Sequence, residues 1–226
     1  MTQEKIEKKT FSEVLGNFIL KNRKIILCVF AVSVAAILIY AVIVTVSGKN
    51  VETGLEKIDK ITYSLTDKSS DLSEADLEAR RGDALKELSE LTAKGGIVGA
   101  RASMLCAEIY FQKKDYMNAR VQWLASASKA KKSYIAPLAY FNAAVCSEEL
   151  GDSDSAIKYY DEASKFEDFL ELSHALFSLG RLQEEKQDFT SAEASYKKIV
   201  DKNPSESWAK LAKNRIIALQ AQGKLQ

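Results

Sequence analysis

Apolar residues follow two regimes along the chain. From residue 25 to residue 46 the run IILCVFAVSVAAILIYAVIVTV carries neither charge nor proline. Beyond residue 50, apolar positions recur every three or four residues between short polar breaks, which predicts amphipathic helices in series. The first regime predicts a single helix of 22 residues. At ~1.5 Å per residue it would be about 33 Å long, the thickness of a bilayer core.

Two other readings of that run are a buried soluble helix and a cleaved signal peptide. A signal peptide would have an apolar region of about 7–15 residues ending in small residues of A-x-A type. This run is longer, and TVSG is only a fair cleavage site. Leu27 precedes Cys28 where a lipoprotein signal requires a small residue. An uncleaved anchor is the better reading. Lys21, Arg23 and Lys24 crowd its N-terminal side, while Lys49, Glu52 and Glu56 follow it. The positive-inside rule then places residues 1–24 in the cytoplasm and everything past the span across the membrane, in the periplasm of a bacterium. Within the leading segment, Thr10 and Glu13 fit a capping box. Phe11, Val14, Leu15, Phe18 and Ile19 fall on one helical face, which suits an interfacial helix, a docking face, or an extension of the membrane helix.

The periodic part repeats itself. In LGRLQEEKQDFTSAEASYKKIVDKNP, Gly180 precedes Ala192 by twelve residues, Tyr196 follows four later, and Pro204 eight after that. Ala144, Ala156 and Tyr160 keep the same intervals, as do Ala107, Ala119 and Trp123. Ala84 and Leu88 continue the pattern upstream, so the alanines stand 35, 37 and 36 residues apart. Small residues at this spacing let the two helices of a hairpin approach closely, and the aromatic one turn on fills the gap. Each hairpin leaves an apolar face that only a neighbour can bury, so the units must stack. The breaks QKKDYMNA, ELGDSDSA and EKQDFTSA offer Asp115, Asp152 or Ser153, and Asp188 as helix caps.

Leu176, Leu179, Gly180, Ala192, Tyr196 and Pro204 resemble the tetratricopeptide repeat family, whose scheme is W-x2-L-G-x2-Y, then A-x3-F, then P. Gln183 and Ser147 stand where that scheme has the tyrosine of the first helix, and only the last unit has the proline. The likeness covers residues 100–204 well and 51–94 weakly. Residues 51–94 would supply an atypical first pair, with Val51, Leu55, Ile58 and Leu65 on one helix and Leu77, Ala84, Leu85, Leu88 and Leu91 on the other, stopping at Gly95-Gly96. Trp208, Leu211 and Ala212 start a C-terminal helix without a partner, as a capping helix would be. The expected architecture is all-α: one transmembrane helix (25–46), then a tetratricopeptide-like α-solenoid of antiparallel helix pairs with a C-terminal cap (51–226).

Composition agrees with helix and narrows the chemistry. The 226 residues include two prolines and ten glycines, and they are 46% hydrophobic and 28% charged. Net charge is +1; six basic and three acidic residues precede position 25, leaving 26 basic against 28 acidic beyond it. That balance argues against nucleic-acid binding. His174 is the single histidine, so no two-histidine metal site can form, and no phosphate loop follows Gly95-Gly96. Neither a metal nor a cofactor is expected. Cys106 and Cys146 sit on first helices of adjacent repeats and could pair in an oxidising compartment, though buried free thiols are the better reading. Glu148-Glu149 and Glu184-Glu185 read as solvated faces, so no enzymatic activity is expected.

The resemblance implies a binding groove lined by first helices. Carried over, it names Arg101, Met104, Glu108 and Phe111; Leu138, Phe141, Val145 and Glu148; and His174, Phe177, Arg181 and Glu184. Met104, Phe141 and Phe177 would form an apolar stripe, either open to varied peptides or buried by the capping elements. The Lys/Asn set that clamps an acidic C-terminus is absent from these slots. The whole architecture, with its FILKNRKII run before the span, is similar to the bacterial ancillary SecYEG translocon subunit family of the YfgM type. That resemblance implies an inner-membrane protein beside the Sec channel whose partners are Sec translocon subunits, periplasmic chaperones or secreted clients. The alternative is an inner-membrane scaffold for a cell-division, outer-membrane or secretion complex. A small-ligand or enzymatic module using His174 is a third class.

Overall fold

The computed structural model describes residues 10–225; Glu4, Lys5, Glu7, Lys8 and Lys9 of the leading segment lie outside the described residues. The described residues form helices and no strand: α1 (Phe11–Thr66), α2 (Glu74–Thr92), α3 (Gly96–Gln112), α4 (Tyr116–Lys129), α5 (Ile135–Glu149), α6 (Ser153–Ser164), α7 (Leu172–Glu185), α8 (Phe189–Lys202) and α9 (Ser207–Ala221). The chain divides into two compact units at a boundary after Glu52.

The first unit is helical from Phe11 onward. The Thr10 backbone N–H donates to Glu13 Oε2 at 3.0 Å, the reach-back half of the expected capping box. Residues 25–46 are helical with exposed side chains, and the helix is long and apolar enough to cross a membrane. Ser33 and Thr45 each donate to the carbonyl one turn back at 2.8 Å, so both hydroxyls are satisfied within the helix. Phe11, Val14, Leu15, Phe18 and Ile19 are all exposed.

In the second unit, α2 packs on α3, and each helix from α3 to α8 packs on its successor. First helices also meet across pairs, α3 with α5 and α7 with α9. Such succession is how a repeat array buries the face each hairpin leaves open.

The turns inside the three pairs are built alike. Asp115, Asp152 and Asp188 accept from the backbone N–H three residues on, at 3.2, 3.2 and 3.1 Å. Asp152, and not Ser153, is therefore the middle cap. The residue before each cap is left-handed: Lys114 at φ 58°, Gly151 at φ 70° and Gln187 at φ 63°. Each turn closes with the same two bonds, as in Asp115 N–H to Tyr110 O and Lys114 N–H to Phe111 O, both 2.9 Å. These are the paired bonds of a Schellman ending.

The small and aromatic positions pack as their spacing requires. Ala107, Ala119 and Trp123 are buried together, as are Ala144, Ala156 and Tyr160. Ala192 and Tyr196 are fully buried in the third pair. Gly180 lies so close to Tyr196 that an added Cβ would stand 2.6 Å from the ring. Ala144 occupies the equivalent position, so that pair accommodates the methyl that the last one excludes. Gly180→Ala is expected to cost between about 1 and 2 kcal/mol by overpacking. Thermal unfolding by circular dichroism checks this, and an unchanged midpoint would show that the ring can move aside.

Ile58 and Ile61 of α1 and Ala84, Leu88 and Leu91 of α2 are buried, and an added Cβ on Gly54 would meet Val98 Cγ1 at 2.7 Å. Arg80 donates to the carbonyls of Ser64 and Asp67 at 3.0 and 2.7 Å, tying α2 to the end of α1 and to the link that follows it. A cavity of about 370 Å³ is lined by Thr62, Leu65, Leu77, Leu105, Glu108 and Ile109, among others. Cys106 and Cys146 are free and buried. Burial pushes each thiol up to about 12, which keeps both inert as nucleophiles.

Candidate protein-binding face

Four slots recur on the first helices α3, α5 and α7, and the structure treats them differently. The slot of Met104, Phe141 and Phe177 is used in packing. Phe141 is only 9% exposed and belongs to the core around Tyr160 and Leu179. Its ring meets Tyr160 edge-on at 5.5 Å and His174 at 4.9 Å. Phe177 is half-buried between Tyr196 and Trp208, at 5.4 and 5.2 Å. Met104 is half-buried against the Ala107–Trp123 core and the Ala100–Ile135 core.

In the slot of Arg101, Leu138 and His174, the three side chains diverge in role. Arg101 pairs with Asp59 at 3.0 Å. Leu138 is half-buried at the edge of a cavity between loops. His174 stacks on Trp208 at 4.6 Å, with Glu171 Oε2 3.6 Å from Nδ1. Its surroundings are those of a packed aromatic.

The other two slots carry charge. Glu148 accepts from the Tyr160 hydroxyl at 2.7 Å, and Glu184 from the Tyr196 hydroxyl at 2.6 Å. The helix two further along then supplies an arginine: Arg181 of α7 pairs with Glu148 of α5, and Arg215 of α9 with Glu184 of α7. Arg181 also pairs with Glu185 at 2.8 Å. Burial, and then the carboxylate each hydroxyl donates to, push both phenols well above the usual tyrosine range. Each carboxylate is thus shared between its own hairpin and the following first helix, α7 or α9. Val145 is half-buried on the Phe141 core. Burial pushes the Glu108 carboxyl above the usual carboxylate range where it lines the 370 Å³ cavity.

The first pair breaks the pattern. Phe111 and Trp123 stand where the later pairs have glutamate and tyrosine, and Trp123 Nε1 is buried without a hydrogen-bond partner. Phe111, freed from the ion-pair role, is 37% exposed and meets Tyr116 edge-on at 5.3 Å.

The twelve residues therefore fall into two sets. Met104, Phe141, Phe177, His174, Glu148, Arg181 and Glu184 link neighbouring helices to one another. Arg101, Glu108, Phe111, Leu138 and Val145 keep accessible surface beside them. Among the described residues, no cluster of three or more His, Cys, Asp or Glu side chains could hold a metal ion. Arg215 joins this face from α9, which the repeat spacing did not reveal because, among the described residues, no second helix follows α9 to complete the interval. Tyr134, Phe166, Phe169 and Leu170 lie in loops outside the slots; their signal was four bulky apolar residues in mostly polar segments.

Residues 138–167 and 174–205 each match a model of the tetratricopeptide repeat. A TPR repeat-containing protein of Treponema pallidum (strain Nichols) is 33% identical over 130 residues, covering 58% of this chain and 54% of that protein. The chain thus spans about half the length of the curated relative it matches. A crystal structure of a tetratricopeptide repeat protein from Parabacteroides merdae superposes with a TM-score of 0.53 over 70% of this chain and 57% of its own, at 18% identity. That likeness concerns the fold.

Proposed function

Since the chain carries tetratricopeptide repeats, the architecture of protein-binding modules, we propose that it is a membrane-anchored binding module of the bacterial cell envelope. Residues 25–46 would anchor it in the inner membrane with residues 1–24 cytoplasmic and the repeats periplasmic. Its place is beside the Sec translocon, where it contacts secreted clients or periplasmic chaperones. The reading is non-enzymatic, as is typical of such repeats. Anchoring would raise the local concentration of the module near emerging chains, so individually weak contacts would suffice.

One observation carries most weight. The slot residues that join α5 to α7 and α7 to α9 set first helices side by side, and Phe111 of α3 and Leu138 of α5 keep accessible surface in the same series of slots. A surface that is fixed beneath and carries accessible apolar side chains beside charged ones suits recognition without large ordering cost.

Site-specific photo-crosslinking from Phe111 in intact membranes tests the reading. The expected products are Sec subunits, nascent secreted chains or periplasmic chaperones. Capture of a cell-division or outer-membrane assembly complex instead would move the protein to the scaffold reading. Absence of any Sec subunit or secreted chain would remove the translocon assignment.

A further inference from the structure

Two loops that join one helix pair to the next, 130–134 and 165–171, border a cavity of about 530 Å³ within the second unit. Its apolar lining is Tyr134, Pro137, Leu138, Phe166, Phe169 and Leu170. Leu170 is 97% exposed and Tyr134 72%, so the fold makes little use of either. Both loops are held by tight turns. Ser133 N–H donates to Ala130 O at 2.9 Å, and Phe169 and Leu172 donate to Phe166 and Phe169 carbonyls at 3.1 Å each. Pro137 lies in the first turn of α5, where its missing N–H leaves no bond unmade. Large apolar side chains held out in water on such a frame mark an interaction site.

The rim carries both signs of charge. Lys131 and Lys132 stand on one loop; Glu167, Asp168 and Glu171 stand on the other. Nearby Lys165 is already paired with Asp161 and Glu162. Among the described residues, Lys131, Lys132, Glu167 and Asp168 enter no such pair, leaving two opposed lips for a ligand. Size selects the kind of ligand. The volume falls within the range of about 300–1,000 Å³ that holds small ligands or one or two bulky side chains. Eleven residues line it, whereas a stable contact between folded proteins takes about 20–30 residues a side.

We propose that this cavity docks a short segment of another protein, with one or two bulky apolar side chains inserted between Leu138 and Leu170. An acidic residue of the segment faces Lys131 and Lys132, and a basic residue faces Glu167 and Asp168. The proposal rests on the protein-binding reading, but it uses a loop edge and shares only Leu138 with the first-helix slots.

The test uses the full-length chain in detergent micelles and a fluorescein-labelled peptide of about ten residues, its central Leu-Phe flanked by an aspartate and a lysine. Anisotropy is expected to show saturable binding, weakened about fivefold or more by Leu170→Ser, a change too exposed to disturb the fold. Lys132→Glu is expected to weaken it about threefold, and exchanging the peptide's aspartate for lysine should restore affinity for that variant. No saturable binding up to about 1 mM, or binding indifferent to both substitutions, overturns the proposal. Light scattering that shows self-association abolished by Leu170→Ser would identify a second copy as the occupant, which also overturns it. Crosslinking from Phe111 separates the two readings. Capture there with no peptide binding removes the edge site alone, and failure of both removes the protein-binding reading as well.

Discussion

Gly99→Ala is expected to destabilise the second unit by about 3 kcal/mol, the upper end for steric overpacking. A Cβ at this buried position would lie 1.7 Å from the Lys94 carbonyl oxygen and 2.7 Å from its carbon. The obstacle is backbone, so no rotamer change relieves it. Lys94 is itself fixed, its N–H donating to Leu91 O at 3.1 Å at the end of α2. The link between α2 and α3 must move, or the first turn of α3 must open. At about 2–4 °C per kcal/mol for a domain of this size, the melting temperature should fall by roughly 6–12 °C. Gly82→Ala is the matched control. Nothing lies within 4 Å of a Cβ there, so helix propensity alone should stabilise by about 0.5–1 kcal/mol. Equal melting of Gly99→Ala and the parent chain would refute the close approach of Lys94.

Glu184→Ala should cost about 2–3 kcal/mol, by a different route. The carboxylate is only 9% exposed and holds the Tyr196 hydroxyl at 2.6 Å and Arg215 Nε at 3.1 Å. Arg215 is about half exposed and stays hydrated when its partner goes. The Tyr196 side chain is fully buried, so its hydroxyl is left without an acceptor, and that orphaned donor dominates the cost. Adding Tyr196→Phe to Glu184→Ala should therefore restore about 1 kcal/mol, although Tyr196→Phe alone destabilises. Urea unfolding of the four chains decides this. If the second substitution adds to the first, the hydroxyl is not what Glu184 satisfies.

How much of this was legible depends on which neighbours a residue answers to. Ala107, Ala144, Ala156 and Ala192 betray their positions because each meets a partner within its own hairpin, at a constant interval along the chain. Asp115 and Asp188 are legible as caps for the same reason, while Asp152 and Ser153 are adjacent and equally able to cap, so geometry alone chose between them. The extent of α1 was not legible: Ser47, Gly48, Lys49 and Asn50 read as the exit of a span, yet they are helical. Fates of slot residues were hidden too. Phe141 and Phe111 both look like exposed groove positions, but Phe141 is met by His174 from the next first helix and by Phe169 from a loop. Those contacts depend on how hairpins stack, which no spacing encodes. The loop cavity lay outside any period, so only the composition of its loops could have hinted at it.

The arginines that cross from α7 to Glu148 of α5 and from α9 to Glu184 of α7 have a bearing on modularity. A hairpin here is a unit of sequence, and it is not a unit of stability. Cutting the chain after α8 would strip Glu184 of Arg215 and uncover the Trp208 faces of His174 and Phe177 in a single stroke. A fragment that contains α7 must therefore keep α9, and a recombined array must carry Glu148 with Arg181 and Glu184 with Arg215.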